Sequence, residues 1–336
     1  MACQQGQGQP EPWPGRCPGP APGTGTQTVP AGRFLLDLPG DASARFGRQG
    51  FNEAGPFIRT LPVPGPRAAW AVVEAEADAL RVPHEEGGEQ LQGVLAGRRV
   101  HCWFVYYWKD TAFKDGLEIK GYYWLDGLLY VFKHACRPDP AAMGARAERL
   151  EALFARMRPR APLEVPPGPG FCLRGAWFPG PPPARADEHI ELLVAFPARP
   201  GVSLRFCTDT VGEVVANCPG LLARDAAGSA RGRRATRIRA RQRPVGLFPG
   251  QELVQAVAEP GGTRGWRFAW EYLGRPRDPL APMLRLELRA DGDQELSHSE
   301  DLHRGIGGLW ESVLGSVRTR ENFLRYLRLP EAIRSS

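Results

Sequence analysis

Leu204-Arg205-Phe206-Cys207-Thr208-Asp209-Thr210, with Arg267-Phe268-Ala269-Trp270-Glu271-Tyr272 and Leu284-Arg285-Leu286-Glu287-Leu288-Arg289 after it, decides the fold. Apolar and polar side chains alternate with a period of two, as on a strand that buries one face. Working outward, Phe171-Cys172-Leu173 and His189-Ile190-Glu191-Leu192-Leu193-Val194-Ala195-Phe196-Pro197 precede this stretch and read the same way. The spacing predicts strands near 189–196, 204–209, 236–243, 252–257, 266–272 and 283–289. Pro and Gly punctuate them, and none presents a nucleophile, a metal cluster or a phosphate loop. Such a surface is built for holding something rather than transforming it.

The first half repeats the plan. Phe34, Leu36 and Leu38 alternate with Leu35 and Asp37 in an opening strand, and His101 to Trp108 is an aromatic run suited to a buried strand. Leu117 to Leu125 and Leu128 to Phe132 flank Asp126-Gly127, a dipeptide that tolerates positive φ at both positions and predicts a hairpin. Leu80 to Gly97 is polar and broken by glycine, and reads as a connection or a short helix. From Ala141 to Arg158 the period switches to that of a helix, with Met143, Ala147, Leu150, Leu153, Phe154 and Met157 on one face. A closing helix is expected over about 304–319, continued by Arg320 to Arg328.

These readings give an α+β fold of two modules, each a largely antiparallel sheet with a closing amphipathic helix. Residues 1–30 form a Gln/Gly/Pro/Thr tract expected to be disordered, because it holds too little apolar surface to offset its ordering entropy. Residues 31–162 are the N-terminal module, 163–170 a Pro-rich linker, and 171–330 the C-terminal module.

The bulk properties agree. A chain of 336 residues exceeds the usual single-domain size. Its 42% hydrophobic and 24% charged residues are those of a chain able to bury a core in each half. The net charge is +6, carried by Arg, since the only lysines are Lys109, Lys114, Lys120 and Lys133. With 40 Gly and 34 Pro, the Arg excess reads first as the codon bias of a GC-rich genome. No DNA-reading motif or stacking platform accompanies it, so a nucleic-acid partner is not expected. A run of about 18 apolar residues, as a spanning helix needs, is absent. Met1 to Pro30 is not a signal peptide as written, while Met1-Ala2-Cys3 has the form of the end of a lipoprotein cleavage site. Seven cysteines describe no disulfide framework. Cys102 with Cys136 and Cys207 with Cys218 are the near pairs for an oxidising compartment; buried thiols are the other reading.

The search for catalysis returns nothing. No Gly-x-Ser-x-Gly, phosphate-binding loop or His-Glu-x-x-His occurs. His298 and His303, with Glu300 and Asp301 between them, are better read as the start of a helix capped by Ser299 than as a metal site. Cys207 beside Asp209 reads as a structural thiol, and Gly305-Ile306-Gly307-Gly308 follows no strand and is no dinucleotide fingerprint. No catalytic residue, metal or cofactor is assigned. One electrostatic feature stands out: Arg237, Arg239, Arg241 and Arg243 occupy alternate positions and, on a strand, would project from one face. Arg231, Arg233 and Arg234 precede them. This ladder is either a solvated outer face or a docking stripe for an acidic partner surface or anionic headgroups. Trp266, Phe268, Trp270 and Tyr272 read as one face of a core. Trp103, Tyr107, Tyr122, Tyr123 and Trp124 are more aromatics than a small core needs, which leaves some of them for a partner.

Taken in order, Gly32-Arg33-Phe34-Leu35-Leu36-Asp37-Leu38-Pro39, Leu117-Glu118-Ile119-Lys120-Gly121-Tyr122, Gly170-Phe171-Cys172-Leu173, Phe206-Cys207-Thr208-Asp209-Thr210, Phe268-Ala269-Trp270-Glu271 and Leu286-Glu287-Leu288 resemble a known family. It is the family of type VI secretion immunity proteins that neutralise a secreted phospholipase effector. The resemblance implies a two-domain α+β protein of the bacterial periplasm. It also implies a partner, the cognate phospholipase, gripped from two sides so that its lid and active-site entrance are occluded without any catalysis by the immunity protein. The sequence departs from the family at its N-terminus, where a secretory signal is expected, and a cytoplasmic location is the alternative. The second functional reading is a lipid-associated or lipoprotein-like module of the cell envelope, anchored through Cys3, whose basic face touches the membrane surface.

Overall fold

The computed structural model describes residues 25–51, 57–114, 116–136, 138–182, 187–212, 218–229, 235–258, 264–291 and 305–320. The described chain opens with β1 (Thr26–Ala31), β2 (Phe34–Pro39) and β3 (Ser43–Phe51), so residues 26–30, expected to be disordered, are instead a strand paired with β2, where Val29 finds a buried place. A five-stranded antiparallel sheet follows, formed by β4 (Ile58–Pro62), β5 (Leu91–Ala96), β6 (Cys102–Trp108), β7 (Leu117–Leu125) and β8 (Leu128–Cys136) in the order β4-β8-β7-β6-β5. Asp126 and Gly127, at φ of 47° and 79°, close the β7–β8 hairpin as their side chains predict. The stretch read as a connection or short helix contains β5 instead. A register shift between Leu91 and Gly93 interrupts its period of two, which hides the strand from a pattern reading.

Alternation on this sheet sorts its two faces. Val105, Tyr107, Tyr122, Leu129 and Val131 pack under helix α1 (Pro66–Ala79), which contributes Ala69, Val73 and Ala77 at a spacing of four. Phe104, Ile119, Tyr130 and Phe132 pack under α2 (Pro140–Arg156), which contributes Leu150, Leu153 and Phe154. Asp139 caps α2 by accepting from the N–H groups of Ala141 and Ala142. Gly121 lets the helix approach, because a Cβ there would lie 3.0 Å from Leu150 and 3.2 Å from Phe154.

The second half adds β9 (Arg158–Pro159), β10 (Gly170–Leu173), β11 (Ala176–Pro179), β12 (Glu188–Ala195) and β13 (Val202–Asp209). After these come α3 (Leu221–Ser229), β14 (Ala235–Val245), β15 (Phe248–Ala258), β16 (Arg264–Tyr272), β17 (Met283–Ala290), α4 (Ile306–Ser316) and β18 (Arg318–Thr319). A seven-stranded sheet runs β14-β15-β16-β17-β13-β12-β3. Its inner face, with Ile190, Leu192, Leu204, Phe206, Leu286, Leu288, Phe268 and Trp270, packs on α4 and on the small sheet β1-β2-β18. The stretch from Arg320 on, read as a second helical segment, lies outside the described residues apart from Arg320 itself.

β3 and the β1–β2 hairpin thus lie with the second half in space, although they come from the first 51 residues of the chain. β3 closes one edge of the large sheet, and Gly32 pairs with Cys172. Phe51, at the end of β3, stacks on Phe178 at 4.6 Å and packs on Phe171 at 5.4 Å, so one apolar core runs through both halves. Buried Gln49 ties the same junction: its amide donates to Thr60 Oγ1 at 2.9 Å and accepts from the Arg174 N–H at 2.7 Å.

Residues 163–170 are held by arginines on either side. Buried Arg160 donates to the carbonyls of Ala161, Pro162, Glu164 and Leu173. Buried Arg320 donates to those of Pro166, Gly168 and Gly170. Burial lowers the pKa of both guanidiniums, and the carbonyl dipoles around them replace the water they lose.

Candidate functional site

β14 is an edge strand, and it carries the four arginines of the ladder. They do not share one face. The register slips at Ile238, so that Arg237 pairs with Gln255 while Arg239 pairs with Val254. One extra residue in a strand reverses every side chain on one side of it. Arg239, Arg241 and Arg243 therefore lie on the inner face and Arg237 on the outer one.

The inner three converge on carboxylates. Glu252, fully buried, accepts from Arg239, Arg241 and Arg243 at 2.9, 2.7 and 2.6 Å. Glu311 on α4 takes a second bond from Arg239 and from Arg243. Burial opposes ionisation of Glu252, but Trp310, Arg241, Arg243 and Arg239 outweigh it and hold the carboxyl below its ordinary value. Arg241 is 48% exposed, whereas Arg239 and Arg243 are 23% and 16% exposed, so Arg241 presents the most surface of the three. Arg231, Arg233 and Arg234 lie outside the described residues.

On the outer face Arg237 meets Asp225 of α3, which also accepts from Gln255 at 2.6 Å. The same arrangement continues across the sheet. Glu271 takes Arg224 at 2.7 Å and Arg285 at 2.6 Å. Glu287 takes Arg267 at 3.0 Å and Arg289 at 2.8 Å. Glu191 takes Arg205 at 2.6 Å and the Arg48 N–H at 3.0 Å. Burial works against the Glu287 charge, yet Arg267 and Arg289 hold its pKa below the ordinary value. The sequence reading missed this lattice, although its signal was present: Arg205, Glu271, Arg285, Glu287 and Arg289 fill the polar positions of the alternating strands. Only the register, which sets Arg285 opposite Glu271 and Arg205 diagonal to Glu191, turns them into pairs.

Where the large sheet meets the five-stranded one, a cleft of about 410 Å³ is lined by Phe46, Arg48, Gln49, Phe57, Arg59 and Arg174 among others. Phe57 is 51% exposed, and the Arg48 guanidinium lies 5.5 Å from its ring centre. The aromatic strips are mainly structural. Phe268 and Trp270 are fully buried, as are Tyr107, Tyr122 and Tyr123, while Trp103 and Trp124 keep half-exposed edges.

Cys102, Cys172 and Cys207 are buried free thiols, and burial pushes the Cys207 pKa up to about 11, far from a nucleophile's range. Among the described residues, no group of three or more His, Cys, Asp or Glu is placed to hold a metal ion. Nor is any of their helices long and apolar enough to cross a membrane. His298 to His303, Met1 to Cys3 and Cys17 lie outside the described residues.

Residues 164–322 match the family model of the Tle cognate immunity protein 4 C-terminal domain. No curated protein sequence matches the chain. Among solved structures, the immunity chain of a Tle4–Tli4 complex superposes with a TM-score of 0.71 at 25% identity, over 88% of this chain and 98% of that one. The apo immunity protein TplEi of the type VI secretion system of Pseudomonas aeruginosa gives 0.70 at 26% identity, over 88% and 98%. TplEi complexed with a peptide called L gives 0.65 at 25%, over 88% and 99%.

Proposed function

We infer that this chain, whose residues 164–322 match the Tle cognate immunity protein 4 C-terminal domain and whose fold is similar to that of type VI secretion immunity proteins, binds a phospholipase effector and inhibits it. The observation that carries this reading is the extent of the match. It runs through both halves and takes in 98% of an immunity chain solved together with Tle4. A C-terminal domain shared alone would have said less.

We further propose that inhibition is stoichiometric and steric, by occlusion of the effector's lid and active-site entrance, with no reaction catalysed by this chain. Support comes from the carboxylates of the large sheet, which serve as ion-pair partners within the fold, and from the burial of the Cys102, Cys172 and Cys207 thiols. The site of action under this reading is the periplasm, where an immunity protein would meet an incoming effector. Of the ladder arginines, Arg237 and Arg241, each about half exposed, are proposed to face the partner. Arg239 and Arg243 would hold the strand in place.

The test is a titration of the full chain into the phospholipase encoded beside its gene, following lipid hydrolysis. Loss of activity at a ratio near 1:1 is expected. Full activity at large excess would refute the reading.

A further inference from the structure

The outer face of the seven-stranded sheet has an arrangement that a merely solvated face does not require. Its acids lie beneath and its arginines on top. Glu271, Glu287, Glu191 and Asp225 have side chains 2%, 9%, 11% and 6% exposed. Above them Arg205, Arg224, Arg237, Arg267, Arg285 and Arg289 are between 37% and 68% exposed. Six guanidiniums over four buried carboxylates leave this part of the face net positive, and the acid that solvent meets on it is Asp209 at the end of β13, beside His189.

We propose that this face is a docking surface for a carboxylate-rich protein face, that of the effector; the proposal rests on the function inferred above. Each buried acid fixes the guanidiniums over it, so most of the side-chain ordering an arginine contact demands has been done before a partner arrives. A guanidinium with one edge on a buried carboxylate keeps its other N–H groups turned outward, ready to donate to a second carboxylate in a fork. The excess positive charge would also speed encounter with an acidic partner. A membrane suits the face less well. Of the exposed large apolar side chains among the described residues, none lies on β12, β13, β16 or β17 and Ile238 alone lies on β14, so the face offers a bilayer too little apolar surface to enter it. Among the described residues α3 packs over one end of this face, through Leu221 on Leu253 and Ala269 and through Arg224 and Asp225 on Glu271 and Arg237, and leaves Arg205, Arg285 and Arg289 accessible.

The experiment compares the full chain with its Arg205→Ala/Arg289→Ala and Arg205→Lys/Arg289→Lys variants. Effector affinity and association rate are measured at two salt concentrations. Both sites are chosen because each buried acid keeps another partner: Glu287 retains Arg267, and Glu191 retains the Arg48 N–H. The expected result is affinity weakened by about tenfold or more in the alanine variant, with a flatter salt dependence of association. The lysine variant, which keeps charge and loses the fork, should weaken by about threefold or more. Wild-type affinity and salt dependence in a folded alanine variant would overturn the proposal, and so would loss of binding to phosphatidylglycerol vesicles with effector affinity unchanged. Should the alanine variant fail to fold, unchanged affinity in the lysine variant overturns it. A wild-type chain that does not bind the effector at all would refute the inferred function itself, and this inference with it.

Discussion

The indole N–H of Trp310 donates to Glu252 Oε1 across 2.7 Å, both side chains fully buried, and so joins α4 to the large sheet through a charge. The three arginines of β14 close on the same carboxylate from the strand edge. Breaking a buried pair by removing one partner typically costs 3–5 kcal/mol, because the charges left behind lose their compensation. Here Glu311 still serves Arg239 and Arg243, so Glu252→Gln is expected to cost about 3 kcal/mol, read from the midpoint of urea unfolding. An unchanged midpoint would mean that the network tolerates a neutral amide.

Stability should also depend on acid. The carboxyls of Glu252, Glu287 and Glu311 are all buried enough to resist ionisation, yet arginines hold each below its ordinary value of 4.5. The unfolded chain then binds more protons than the native one in that range, so stability rises with pH there. The contribution is complete above about pH 4.5 and is lost as pH falls through the lowered native values. Glu188 has the opposite sign, since burial raises its pKa despite Arg33, and its contribution falls with rising pH in the window above 4.5 instead. Thermal midpoints between pH 2.5 and pH 7 should fall on the acid side, and the fall should be shallower in Glu252→Gln. A midpoint that stays level down to pH 3 would contradict this account.

Phe51 joins the halves, so its loss should be felt by both. Its ring stacks on Phe178 and is almost wholly buried. Phe51→Ala is expected to cost about 3–5 kcal/mol, by removing buried area and leaving a cavity that the strands cannot close. If the shared core couples the halves, unfolding followed by tryptophan fluorescence and by far-ultraviolet dichroism should coincide in the wild type. The two should separate in the variant. Coincident transitions in both proteins would show that coupling rests elsewhere, on contacts such as Gln49.

The large sheet was legible in the sequence because its strands bury one face: Leu284, Leu286 and Leu288 announce themselves by alternation. So was the β7–β8 hairpin, where Asp126-Gly127 leaves the backbone little choice. What stayed hidden depends on distance along the chain. β3 reads as a mixed segment, since Gly47 and Gly50 interrupt it, and nothing local says that it pairs with a strand about 140 residues later. The bulge at Ile238 leaves no mark in the spacing of the arginines, yet it moves Arg237 to the far side of the sheet. α1, with alanines at many of its positions, carries too faint an apolar stripe to stand out. In every case the missing quantity was register, which is a relation between strands and not a property of either one.

The grip of Arg160 and Arg320 on residues 161–170 has a consequence for how this chain can change over generations. Both guanidiniums bind main-chain oxygens, which every residue type supplies alike. Leu163 and Val165, half exposed at the surface of that segment, can therefore be exchanged without loosening the hold, provided the backbone keeps its path. A protein pressed to follow a diverging effector would be free to vary there while the relative placement of its two halves stayed fixed. Sequence drift and geometric constancy would sit in the same ten residues.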